Sequence, residues 1–138
     1  MKGTYYIDSN VFLYPVLYND LKEAELAREI LTEIEGKNIQ AYTSTLTWDE
    51  VSYVVERVIG KTDAIEVGKK FLNFPFLRFI PVDDEIIRRS QVIREKYNLK
   101  PRDSIHLSCA IERNISQIMT DDADFDGIKE IKRIPVMQ

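Results

Sequence analysis

The apolar positions of this chain alternate between two periods. Thr4-Tyr5-Tyr6-Ile7 is a short β-branched and aromatic run that reads as a buried strand and stops at Asp8. The apolar stretch from Asn10 to Leu17 turns directly into a first short helix. Leu21, Ala24, Ala27, Ile30, Leu31 and Ile34 recur at helical spacing and predict a second helix, with Asp20 as its cap and Gly36 as its stop. Ile39 to Thr43 predicts a second strand. Thr47 opens the next helix, whose stripe is Val51, Val54, Val55, Val58 and Ile59 and whose end is Gly60. Thr62 is the expected cap of a helix running to about Asn73, before Pro75.

Leu77 to Val82 predicts a third strand, and Asp83 or Asp84 starts a helix that ends near Tyr97. Pro101 suits the first turn of a last helix over roughly Arg102 to Arg113. Gln117 to Thr120 is a fourth strand, and Ile131 to Val136 a fifth that Pro135 pushes to an edge. Strands alternating with helices predict an α/β fold with a mostly parallel central sheet covered on both faces. In such a sheet, ligands sit beyond the carboxyl ends of the strands. That rule draws attention to Asp8 after the first strand and Asp122 after the fourth. Glu50 and Asp103, in the first turns of two helices, could converge on the same edge.

The bulk properties narrow the picture without redirecting it. A chain of 138 residues, 44% hydrophobic and 30% charged, is the size of one domain spanning 1–138 with a substantial core. Five Gly and five Pro are too few for a linker-rich or repetitive protein. The formal net charge of -4 supplies no overall basic footprint for nucleic acid, although a local metal cluster and a basic rim can oppose the global sign. Lys69, Lys70, Arg78, Arg88, Arg89, Lys96 and Lys100 are candidates for such a rim, or simply a solvated face. A single cysteine, Cys109, excludes an internal disulfide framework and a multi-cysteine zinc site, and its helical context predicts core filling. With neither a signal-peptide pattern nor an apolar run long enough to cross a bilayer, the expected location is the cytoplasm and no membrane partner is expected.

Each acidic candidate has a structural alternative. Asp8 could cap the helix that follows it, and Ser9 and Asn10 could hold a water or phosphate beside it. Thr47-Trp48-Asp49-Glu50 fits a capping box, in which Glu50 reaches back to the helix start. Asp103 and the lone histidine, His106, share a helix face, but a single histidine is more consistent with a core or supporting role than with a metal ligand. Thr120-Asp121-Asp122-Ala123-Asp124-Phe125 puts three carboxylates in four positions, either a solvated acidic turn or a site for a hard divalent cation. All-oxygen donors favour magnesium or manganese over zinc. Gly60-Lys61-Thr62 is not a P-loop, because position 55 is Val where the first glycine belongs, and Asn114-Ile115-Ser116 carries no meaning as a glycosylation acceptor in a cytoplasmic protein.

Taken in order, these segments resemble the PIN domain family, particularly the toxin ribonucleases of VapBC toxin–antitoxin pairs. Tyr6-Ile7-Asp8-Ser9-Asn10-Val11 resembles the opening motif, Ser44 to Val51 the second, Arg102 to Ala110 the third, and Thr120 to Phe125 the fourth. Ser9 stands where the family often has Thr, and Asp121 adds a charge beside the usual cluster. The resemblance implies a three-layer αβα sandwich and an endoribonuclease dependent on Mg2+ or Mn2+. It implies Asp8, Glu50, Asp103 and Asp122 as the catalytic acids. Asp8 and Asp122 would be direct metal ligands, Asp103 direct or through water, and Asp124 would hold a second ion. Glu50 would orient the attacking water or complete the metal's shell, while Ser9, Asn10 and Thr120 would support the ligands and Asp121 would do so or lie at the surface. A toxin implies an RNA substrate, a cognate antitoxin protein and a homodimer, with Val11 to Leu17 and Val51 to Ile59 as interface material or core. Two alternatives stay open: a PIN nuclease of RNA processing, and a non-catalytic metal-binding module that acts through protein partners.

Overall fold

The computed structural model describes residues 1–137. In chain order its elements are β1 (Thr4–Ile7), α1 (Ser9–Leu17), α2 (Lys22–Glu35), β2 (Gln40–Ser44), α3 (Thr45–Val58), α4 (Lys61–Leu72), β3 (Leu77–Ile80), α5 (Asp84–Lys96), α6 (Pro101–Glu112), β4 (Gln117–Met119) and β5 (Lys132–Ile134), with a single 3₁₀ turn at Ala123–Phe125. The strands form one sheet in the order β3-β2-β1-β4-β5, and every pairing is parallel. The expected α/β architecture with helices on both faces is the one observed.

Alternation along β1 builds both layers. Tyr5 and Ile7 enter the core formed with α1 to α4, whereas Tyr6 enters the opposite core with Ile86 and Ile93 of α5 and Leu107 and Ala110 of α6. Tyr6 and Ile7 are fully buried, as a central parallel strand requires. Each buried side chain of this size contributes roughly 1.5–3 kcal/mol relative to exposure. Cys109 is core filling, as expected, and burial pushes its thiol up to about 12. Both edge strands are short: β3 has four residues between Pro75 and Pro81, and β5 has three and is followed by Pro135. Among the described residues, no helix is long and apolar enough to cross a membrane.

Several caps differ from the sequence expectation. Asp20 does not cap α2, whose cap position is Leu21 without a side-chain hydrogen bond. Thr62 does not cap α4 either. That helix starts at Lys61 after Gly60, whose φ of +143° suits glycine and permits the abrupt turn out of α3. Helix α3 begins two residues before Thr47, and Thr47 is buried with its hydroxyl 2.7 Å from Thr43 Oγ1. Asp83 and Pro101 act as expected: Asp83 accepts from the Ile86 backbone N–H, and Pro101 occupies the first turn of α6.

Asp121 serves the fold. Its Oδ1 accepts from the backbone N–H groups of Val136 and Met137 at 2.7 and 2.9 Å, and its Oδ2 accepts from Tyr14 Oη at 2.7 Å. Burial and this carboxylate push the Tyr14 hydroxyl well above its ordinary value. The charge expected to support the acidic cluster thus ties the C-terminal segment to α1. Asp121→Ala should lower unfolding free energy by roughly 1–3 kcal/mol in urea titrations.

Candidate metal centre

The sheet order reverses between β1 and β4. The chain leaves β1 toward β2 on one side, and β4 leads to β5 on the other, so a crevice opens beyond their carboxyl ends. The register pairs Ile7 with Met119, and the Asp8 N–H donates to the Met119 carbonyl at 3.1 Å, so Asp8 and Thr120 emerge side by side. Asp8 is buried, with Oδ1 accepting from the Ser9 N–H at 2.7 Å and Oδ2 accepting from Thr120 Oγ1 at 2.7 Å. Asn10 reaches the same hydroxyl at 3.3 Å, and the Asp122 N–H donates to it at 3.0 Å. Capping and site formation are therefore one arrangement at Asp8: it begins α1 and is clamped by Thr120.

Glu50 does not close a capping box. Its Oε1 lies 2.6 Å from His106 Nε2, although Glu50 is carried by α3 and His106 by α6 on the other face of the sheet. The same nitrogen is 3.6 Å from Asp8 Oδ1, and Nδ1 is 2.5 Å from Tyr6 Oη. Burial pulls the imidazole pKa down, but the Asp8 carboxylate and the hydrogen-bonded Glu50 outweigh it and leave it above the usual value. Asp8, Glu50 and His106 each offer a ligand atom within 4.8 Å of the others.

Asp103, Asp122 and Asp124 form a second such trio, also within 4.8 Å. Asp122 opens the 3₁₀ turn, and its Oδ1 accepts from the Asp124 N–H at 2.9 Å. Asp124 is exposed, 3.9 Å from Lys100 Nζ. Asp103 Oδ2 is buried without a hydrogen-bond partner. Desolvation, then the Asp122 and Asp8 charges, raise the Asp103 carboxyl from 3.8 to about 7. The two trios thus interact electrostatically. A hard divalent cation fits them: it would neutralise converging carboxylates and give the orphaned Asp103 oxygen a partner.

Residues 5–131 match the PIN domain family. The chain belongs to that family. Solved structures agree in fold across almost the whole chain. VapBC2 from Rickettsia felis, bound to a DNA fragment from its promoter, is 18% identical with a TM-score of 0.74, over 96% of this chain and 98% of that one. VapC20 of Mycobacterium tuberculosis, a sarcin-ricin loop cleaving toxin, is 13% identical with a TM-score of 0.73, over 92% and 96%. VapBC-1 from nontypeable Haemophilus influenzae is 12% identical with a TM-score of 0.71, over 98% and 99%. Identities this low speak to the fold alone. A comparison with curated protein sequences finds no match.

Within this PIN fold, most of the expected basic rim is engaged elsewhere. Arg88 pairs with Asp84, Arg89 with Glu112, Lys96 with Glu130 and Lys70 with Glu66, while Arg78 donates to Tyr42. Of the seven residues, Lys100 is the one paired with a member of the acidic trios. The apolar stretch after Asp8 is divided: Val11, Phe12 and Leu13 are core, and Tyr14, Val16 and Leu17 only pack against it. Helix α3 is divided too, with Val51 and Val55 buried and Trp48, Tyr53 and Val58 exposed. The bond from His106 to Glu50 escaped the sequence reading because no local pattern links residues 56 positions apart; the shared helix face with Asp103 was the available signal.

Asp103 also sets a pH dependence. A carboxyl raised on folding makes the folded state the better proton acceptor, so its contribution is complete below pH 3.8 and is lost as pH rises through about 7. The metal-free melting temperature should therefore fall across that interval relative to Asp103→Asn, which carries no titrating group there. Differential scanning calorimetry of both proteins from pH 4.5 to 8.5 checks this, and parallel curves would contradict it.

Proposed function

We propose that this PIN-domain chain is a metal-dependent endoribonuclease using Mg2+ or Mn2+, and the toxin of a type II toxin–antitoxin pair. The observation that carries the reading is a pair of ligand trios, Asp8/Glu50/His106 and Asp103/Asp122/Asp124, in which the Asp103 carboxyl feels the Asp8 and Asp122 charges and keeps one oxygen buried and unpartnered. Asp8, Asp103 and Asp122 would hold the first ion, and exposed Asp124 a second. A bound divalent cation would lower the pKa of water and offset charge on phosphoryl oxygens during hydrolysis.

The side chains divide the remaining work. Thr120 and the Ser9 N–H fix the two Asp8 oxygens, so the carboxylate presents a preset geometry. Asn10 and the Asp122 N–H fix Thr120 in turn. Glu50 contributes the acceptor that orients the attacking water, and Lys100 beside Asp124 is suited to an RNA phosphate at the open end of the site. No residue among these serves as an obvious dedicated general base.

The likeness to toxin–antitoxin structures supports a cognate antitoxin, and we take the chain to act as a homodimer in the cytoplasm. The exposed apolar surface of α3 and α4, where Trp48, Val58, Ile65 and Leu72 are close to half or more accessible, supports association with a protein partner. Light scattering should give twice the chain mass. A small gene immediately upstream encoding an antitoxin would favour the toxin over an RNA-processing nuclease.

Saturating Mn2+, at about 100 times its dissociation constant, should stabilise the fold by about 2.7 kcal/mol, or on the order of 10 °C in melting temperature. Asp8→Asn and Asp122→Asn should abolish most of that rise and reduce RNA cleavage on the order of 100-fold or more. A melting temperature indifferent to metal would overturn the site. Metal binding without cleavage by clean protein would favour the non-catalytic module instead.

A further inference from the structure

Tyr6 belongs to the core beneath α5 and α6, and His106 is buried on α6 beside it, yet their hydrogen bonds end on a carboxylate that α3 carries over the sheet edge. Tyr6 is fully buried and His106 is 1% exposed, so water cannot substitute for either partner. A Glu50 carboxylate can only accept, so it pairs with a proton on His106 Nε2. Tyr6 Oη, 2.5 Å from Nδ1, donates to it when the ring is neutral and accepts from it when the ring is protonated. In either form the Nε2–H faces Glu50. Both ring nitrogens are committed, and turning Nε2 toward a cation would break the 2.6 Å bond to Glu50. Nε2 also lies 3.6 Å from Asp8 Oδ1, placing its N–H dipole between two carboxylates that would otherwise repel across the crevice.

We propose that the buried Tyr6–His106 pair is a positioning device for Glu50, not a metal ligand set. It occupies Oε1, leaves Oε2 as the oxygen available to a cation or its water, and fixes the helix α3 carboxylate against Asp8. The inference rests on the metal-centre reading above. It adds two residues to it, one on β1 and one on α6, neither of them acidic.

The test compares wild type, His106→Leu, His106→Gln, Tyr6→Phe and the double variant Tyr6→Phe/His106→Leu. Circular dichroism and metal-free melting first establish that each is folded, and calorimetry then measures Mn2+ affinity. His106→Leu removes the donor and should weaken Mn2+ roughly 10–100-fold. His106→Gln returns an N–H near the Nε2 position and should recover most of the loss, which a merely space-filling role would not predict. Tyr6→Phe should weaken binding when His106 is present and have no further effect in the His106→Leu background. Two spectroscopic readings are independent of activity. Long-range nitrogen–proton spectra of the metal-free protein should show Nε2 protonated, and pulsed electron paramagnetic resonance of the Mn2+ form should show no directly coordinated nitrogen. Wild-type affinity in His106→Leu, a ring protonated at Nδ1 alone, or a coordinated nitrogen would each overturn the positioning role. A wild type that binds no Mn2+ would overturn the metal centre itself, a failure visible before any variant is compared.

Discussion

Like charges in a partly buried crevice repel, and the upper edge of this sheet is organised around containing that repulsion. Asp8 is buried, and Thr120 and the Ser9 N–H each donate to one of its two oxygens. The β1–β4 register makes this possible: one ladder bond, from the Asp8 N–H to the Met119 carbonyl, sets Asp8 beside Thr120. A slip of one residue would turn the adjoining strand side chains to the wrong face and part the carboxylate from its clamp. Asp122 depends on the same hydroxyl through its backbone N–H, so the two acids from opposite ends of the chain share one support.

A second constraint joins the two helical layers. Glu50 comes from the layer of α1 to α4 and His106 from the layer of α5 and α6, and they meet over the sheet edge. Period-2 alternation in β1 sends Tyr6 to the α6 side while Ile7 faces the other way, so the ring that supports His106 comes from the strand that ends in Asp8. The site is thus held by rigid elements more than by loops, the arrangement that keeps converging side chains in fixed geometry.

Strand and helix positions were legible in the sequence because burial imposes period on apolar residues. The stripe of α3 and the β-branched run of β1 carry their own evidence. Caps were less legible: Thr47-Trp48-Asp49-Glu50 has the spacing of a capping box, but Thr47 is buried against Thr43 and Glu50 is drawn to His106. Tertiary partners won over a local motif. Asp121 and Asp122 are adjacent and chemically identical, and only the fold distinguishes the tie to the C-terminal segment from the member of the acidic trio. The family resemblance supplied the frame that favoured Asp122, while composition and period alone could not.

The short, proline-bounded edges of the sheet have a consequence for how this molecule can meet others. A bare strand edge is a row of unused donors and acceptors that invites a stranger's backbone to extend the ladder, the usual beginning of swapping or fibre growth. Here β3 offers four residues and β5 three, with Pro81 and Pro135 immediately after them lacking the N–H that a longer ladder would need. The fold can keep a fully parallel sheet without leaving a sticky seam on either flank, and association is steered toward side chains on its helical faces.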